Sequence, residues 1–258
     1  MLRHLLLLAA LLTAPPASAL DSPLALREIY NQQVDRRLDL PADEQQFYAK
    51  LLAQQLQQAG LNLTPQYVLL VDRSPQVQAL LLYWVADGLI FNFIGASPVS
   101  TGKAGGFDYF ETPTGIFAHS IDNFDFRAEG TFNSRGLRGY GIKGMRVFDF
   151  GWVQARRTWL PGESEMRFLI HATDPARLEW KLGTPQSKGC IRIPASLNRL
   201  IDYYGLLDAD YEQAVADGEQ LWVLRHDRQR TLWSGRYLVV VDTNRSQRPA
   251  WSPLPSKK

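Results

Sequence analysis

One cysteine occurs in the 258 residues, Cys190, inside the stretch "SKGCIR". A thiol attacks as its thiolate, and that form needs a base or positive charge close by. Lys188 and Arg192 flank the sulfur within two positions, and Gly189 lets the backbone approach closely, with amide N–H groups suited to an oxyanion. A base must come from elsewhere in the chain. Beyond the N-terminal leader the histidines are His119, His171 and His226. His171 closes the apolar run "MRFLIHA" and is followed by turn-forming residues, a position where a side chain stands exposed on a rigid support. His119, at the end of the run after "TPTG", is the second choice. The chemistry these residues suggest is covalent catalysis by a thiol with an imidazole as general base. The plainer alternative is an inert, packed cysteine.

Compartment bears on that choice. The chain opens "MLRHLLLLAALLTAPPASALDS": Arg3, an apolar run from Leu5 to Leu12, then Ala17-Ser18-Ala19, the pattern of a secretory leader cleaved after Ala19. The run is shorter than the about 20 residues that span a bilayer, and Pro15 and Pro16 directly after it argue against an uncleaved anchor. An exported protein with no stable membrane insertion after cleavage is expected. In an oxidising compartment a lone cysteine excludes an internal disulfide framework and leaves a free thiol to explain. With 28 Lys+Arg against 26 Asp+Glu the chain is near neutral, which argues against nucleic acid as partner. No H-E-x-x-H or Cys/His cluster suggests a metal, and no G-x-S-x-G elbow suggests a serine hydrolase.

The elements that must position these groups change character near residue 65. Residues 20–64 are rich in Leu, Gln and Ala, with Phe47, Leu51, Leu52, Leu56 and Ala59 at helical spacing, an earlier helix-like piece from Leu24 to Leu38, and Pro41 between them. From 65 to 243 the pattern is of strands: "QYVLLVDR", "ALLLYWV", "LIFNFIGASPVSTG", "TGIFAHS", "MRVFDFGWV", "MRFLIHA", "QLWVLR" and "RYLVVVDT". "RAEGTFNSRGLRGYGIKG" reads as a long functional loop, and residues 244–258 as a flexible tail. The fold class is mainly β (α+β), with a helical N-terminal extension and short helices after the cysteine.

Two motifs resemble a known family. "HATDPARLEWKLGTPQSKGCIRIP" is similar to the signature of the YkuD-type L,D-transpeptidases: a His, a spacer, then Ser/Thr-His-Gly-Cys, an apolar residue and Arg or Asn. Upstream, "PVSTGKAGGFDYFETPTGIF" resembles that family's Ser-Thr-Gly and Thr-Pro-Thr-Gly pattern, and the resemblance covers about residues 66–205. It implies a YkuD-type β-sandwich catalytic domain acting, without cofactor or metal, on peptidoglycan stem peptides in the periplasm or cell-wall space. Cys190 would be the nucleophile and His171 its base, with the Ala172 carbonyl holding the imidazole tautomer. Gly189 and Cys190 would offer amides to the oxyanion, and Ser187 and Arg192 would shape the loop and orient substrate. Arg192 has a second reading, an ion pair with an acid such as Asp202. The family's His before Gly-Cys is Lys188 here, which puts substrate choice or rate in question and suits an anionic group. Arg127, Arg135, Arg138 and Tyr140 in the long loop are candidates for gripping stem carboxylates. The acceptor is open: a stem amine, a lysine of a wall-anchored protein, a D-amino acid, or water in a carboxypeptidase or endopeptidase. A non-catalytic wall-binding protein is the rival from another class.

Overall fold

A computed structural model describes residues 22–255. The leader over residues 1–19 lies outside the described residues. The chain runs α1 (Ala25–Gln33), α2 (Ala42–Gln58), β1 (Gln66–Asp72), β2 (Ala79–Ala86), β3 (Ile90–Pro98), β4 (Gly115–Ala118), β5 (Phe126–Arg127), β6 (Arg146–Arg156), β7 (Glu163–Ala172), β8 (Ile191–Ile193), α3 (Ala195–Tyr204), α4 (Ala209–Ala216) and β9 (Tyr237–Val241). The strands form two sheets, β3-β2-β1-β9-β4 and β5-β6-β7-β8.

Alternation along the strands decides what each sheet covers. In β1, Tyr67, Leu69 and Val71 point into a core shared with Phe168 and Ile170 of β7, Ile191 and Ile193 of β8, and Leu197, Leu200 and Ile201 of α3. The intervening Val68 and Leu70 point the other way, against Tyr48, Leu52 and Leu56 of α2. β1 is therefore buried on both faces, and its continuous apolar run follows from that. Each such Leu or Val contributes roughly 1.5–3 kcal/mol by leaving water.

The N-terminal helices are part of this packing. Leu26 and Tyr30 of α1, with Val34 just after it, enter the inter-sheet core, and the Tyr30 hydroxyl bonds Ser97 Oγ at 2.5 Å. Helix α1 ends at Gln33, short of the Leu38 that the sequence reading reached. The run "QLWVLR" is not a strand: within residues 220–225 the chain is irregular, with a turn at 222–223 and a bend at 224. Val223 and Leu224 are buried against Tyr211 of α4, and the Val223 carbonyl accepts from Arg127 in place of a neighbouring strand. The segment read as a flexible tail also differs. Over residues 244–255 it packs back, with Trp251 only 8% exposed beside Tyr48. Arg245 grips Glu44 at 2.8 Å, and Ser252 Oγ donates to the Val77 carbonyl at 2.6 Å. Buried Asp72 at the end of β1 joins tail to helix, accepting from Tyr48 at 2.7 Å and from Thr243 Oγ1 at 2.6 Å. No helix among the described residues is long and apolar enough to cross a membrane.

Candidate active site

Strands β7 and β8 are parallel, with Ile170 opposite Ile191 and His171 opposite Arg192. Ile170 and Ile191 fill the core, so His171, next along β7, faces the other side of the sheet, while Cys190, the residue just before β8, is partly buried against that core. Strand spacing and rise place their backbones roughly 8 Å apart, within reach of an imidazole and a thiol. β7 thus supplies the rigid support that the sequence placed under His171, but the side chain expected to stand exposed there is only 4% exposed.

The His171 ring is buried, and its Nδ1 bonds the Ala172 carbonyl at 2.8 Å. A carbonyl only accepts, so Nδ1 carries the proton and Nε2 keeps a free lone pair. Burial, and then the charge of Arg192, pull the imidazole down to about 4. Cys190 is partly buried and free of any disulfide. Its thiol donates to the Arg167 carbonyl at 3.6 Å. Burial pushes that thiol up to about 11, against the opposing pull of the Leu169 amide and of Arg192. The resting pair is a neutral thiol beside a neutral imidazole. This corrects the expectation that the flanking cations hold a thiolate. Arg192 does favour it, but desolvation is larger. Lys188 is turned away: its Nζ pairs with Asp108 at 3.0 Å with both side chains 56% exposed, and lies over the Tyr109 ring at 5.4 Å.

The loop before β8 is held by both upstream motifs. Ser100 and Arg192 exchange backbone bonds of 3.0 and 2.9 Å, and the Thr101 carbonyl accepts from the amides of Gln186 and Ser187, each at 3.0 Å. Thr112, the first threonine of "TPTG", donates its hydroxyl to the Gly189 carbonyl at 2.6 Å and accepts from the Gly102 amide at 2.8 Å. Gln78, buried and at φ 53°, fixes Thr101 through its amide at 2.9 Å and hydroxyl at 2.8 Å. Glycine is required at two points: at Gly189 φ is +138° and a Cβ would meet Met166 Sδ at 2.7 Å, and at Gly102 a Cβ would lie 2.0 Å from the Phe110 carbonyl oxygen. Thr112 and Gln78 have roles the sequence reading did not assign. For Thr112 the signal was there, a hydroxyl inside a motif.

The other expected residues fall as follows. Ser187 is buried, its Oγ donating to the Cys190 carbonyl at 2.5 Å and accepting from the Gly189 amide at 3.0 Å. It staples the loop from within, and the Gly189 amide proposed for an oxyanion is already taken. Arg192 has no ion pair among the described residues, and its buried Nε lacks a hydrogen-bond partner. Asp202, suggested as its partner, lies on α3 and binds Arg127 at 2.8 and 3.0 Å. Arg138 is committed to the loop, with its amide on Asp174 at 3.0 Å and its guanidinium on the Gly130 carbonyl at 3.2 Å and over Phe132 at 4.0 Å. Tyr140 stands edge-on to His171 at 4.9 Å and to Phe126 at 5.4 Å. Together with Glu129 and Thr131 it lines a cavity of about 410 Å³. His119 is not available as a base: it is wholly buried, with Nδ1 on the Leu207 carbonyl and Nε2 on Asp125, both at 2.8 Å.

What this arrangement can do is transfer a proton from sulfur to an oriented imidazole while sulfur attacks a carbonyl. Residues 66–209 match the family model of the L,D-transpeptidase catalytic domain, YkuD. No curated protein matches the chain. Among solved structures, a fused Zn-dependent amidase/peptidase/peptidoglycan-binding domain-containing protein from Clostridium acetobutylicum is similar at 16% identity and a TM-score of 0.30, over 80% of this chain and 64% of that one. The helical cell shape determining protein Pgp2 (K307A mutant) of Campylobacter jejuni is similar at 14% identity and a TM-score of 0.31, over 93% of this chain and 60% of that one. The chain therefore spans less than two thirds of the length of either.

Proposed function

The chain belongs to the YkuD family of L,D-transpeptidase catalytic domains, and from that membership we propose that it is an exported cysteine L,D-transpeptidase acting on peptidoglycan stem peptides. The observation that carries the reading is the parallel register of β7 and β8, which sets His171, its tautomer held by Ala172, on the strand next to the Cys190 loop.

Substrate brings the carbonyl between diaminopimelate and the fourth-position D-alanine to Sγ. Nε2 of His171 takes the thiol proton as the C–S bond forms, and the developing oxyanion faces the Cys190 amide. The tetrahedral adduct collapses, His171 returns the proton to the departing amine, and D-alanine leaves a thioester. An acceptor amine then attacks, His171 removes its proton, and the thiolate expelled is reprotonated from the imidazolium. Because thiol and imidazole both rest neutral, the proton passes to Nε2 as sulfur attacks rather than before it.

The test is D-alanine release from disaccharide-tetrapeptide, with and without an added acceptor amine, by the native chain and by Cys190→Ala. Release by the native chain alone, with the acceptor joined to the product, supports transpeptidation. Release with water as the acceptor places the chain among L,D-carboxypeptidases. No release by the folded native chain supports the wall-binding rival, and equal release by the Ala variant removes Cys190 from the chemistry.

A further inference from the structure

Beside the Cys190 loop the surface carries a built aromatic ridge. The segment between β3 and β4 is tied to the turn between β6 and β7: Phe110 bridges Arg157, the Thr158 amide donates to the Tyr109 carbonyl at 2.9 Å, and the Glu111 amide to the Arg156 carbonyl at 2.9 Å. On this frame Phe110, 6% exposed, anchors Trp159 at 5.0 Å, and Trp159 meets Phe107 at 5.5 Å. Phe107 is 81% exposed, and Leu160 beside Trp159 is 56% exposed. A stack rooted in the core thus ends in a ring left in water. The same frame joins the catalytic loop, since the Phe110 amide donates to the Lys188 carbonyl at 3.0 Å.

We propose that this ridge of Phe107 and Trp159, with Leu160 beside it, binds a sugar ring of the glycan strand that bears the stem peptide. The inference rests on the peptidoglycan reading above and names a second part of the same substrate. Charge favours an uncharged ligand. Lys188 is neutralised by Asp108 at 3.0 Å and Arg156 by Glu111 at 3.4 Å. The lysine that replaces the family's histidine is thus engaged by the ridge loop. The faces of aromatic rings carry negative charge density, and the C–H groups on one face of a pyranose present positive edges to them. The footprint also fits: one aromatic ring buries roughly 150–250 Å², the size of a sugar, where a stable protein interface needs roughly 800 Å² per partner. The frame of the ridge meets the cysteine loop at Lys188, two residues from Cys190.

The experiment compares free tetrapeptide with disaccharide-tetrapeptide as acyl donor, reading D-alanine release by the native chain and by Phe107→Ala. The native chain is expected to favour the sugar-bearing donor by about tenfold in kcat/KM, and Phe107→Ala to bring that ratio toward one. Equal use of both donors by the native chain, or an equal loss on both in the variant, overturns the proposal. If neither donor is turned over, the acyl-transfer reading has failed, and calorimetric titration with a peptide-free N-acetylglucosamine tetrasaccharide decides the ridge alone. Binding that Phe107→Ala abolishes supports it, and absent or unchanged binding overturns it.

Discussion

Cys190 keeps its proton until substrate arrives, and that makes its reactivity toward small reagents different from that of a preformed thiolate. With the thiol pushed up to about 11, labelling by iodoacetamide is expected to rise about tenfold per pH unit from roughly pH 7 to 10. A plateau below about pH 8 would mean that the ion pair exists at rest. Acyl transfer should behave differently, because it needs the base unprotonated and the thiol protonated. Between His171 near 4 and Cys190 near 11 the kcat/KM profile is expected to be flat across neutrality, and an acid limb centred near 6.5 would contradict the burial of His171. Sequence made both residues legible, as a lone thiol with cationic neighbours and a histidine at a strand end. It did not reveal that burial outweighs the cations, because desolvation depends on what packs over the loop. Thr112 shows the same limit. Its buried hydroxyl serves two backbone groups, so Thr112→Val should leave both unsatisfied, lower stability by about 1–3 kcal/mol and loosen the cysteine loop. Denaturant midpoints together with the labelling rate of Cys190 would show both effects.

Strands with a partner on each side were readable from composition alone: "QYVLLVDR" and "RYLVVVDT" became β1 and β9, paired in parallel at the middle of the larger sheet. "QLWVLR" has the same composition and no strand neighbour, since Arg127 occupies the Val223 carbonyl. Local pattern cannot register that competition. The tail failed as a sequence reading for a related reason. Its polar residues hide one anchor, Trp251, whose pocket is assembled from α2 and the outer face of the five-stranded sheet. Trp251→Ala is expected to cost about 3–5 kcal/mol and to expose Tyr48, while leaving β7 and β8 in place. A midpoint unchanged within error would mean that the tail is not part of the fold.

Between the two ends of the molecule lies a buried polar network that fixes α3 and α4 against β6. Arg146, wholly buried, binds Asp125 at 2.6 Å and Asp208 at 2.8 Å, and His119 completes it on Asp125. Burial works against a charged His119, but the charge and hydrogen bond of Asp125 overcome it and raise its pKa. A raised folded pKa gives stability that is whole below the unfolded value of about 6.5 and fades as pH rises through the folded value. The Tm difference between the native chain and His119→Gln should therefore shrink as pH rises above the unfolded value, and a gap that widens with pH would reverse the assignment. This network keeps His119 structural and leaves His171 as the proposed base, so the account stands on one covalent event. Intact-mass analysis after incubation with disaccharide-tetrapeptide tests it most directly. The native chain should gain the mass of the donor less D-alanine, mapped to Cys190, and His171→Ala should acylate at least about a hundredfold more slowly. An adduct on another residue, or one formed as fast without His171, would contradict it.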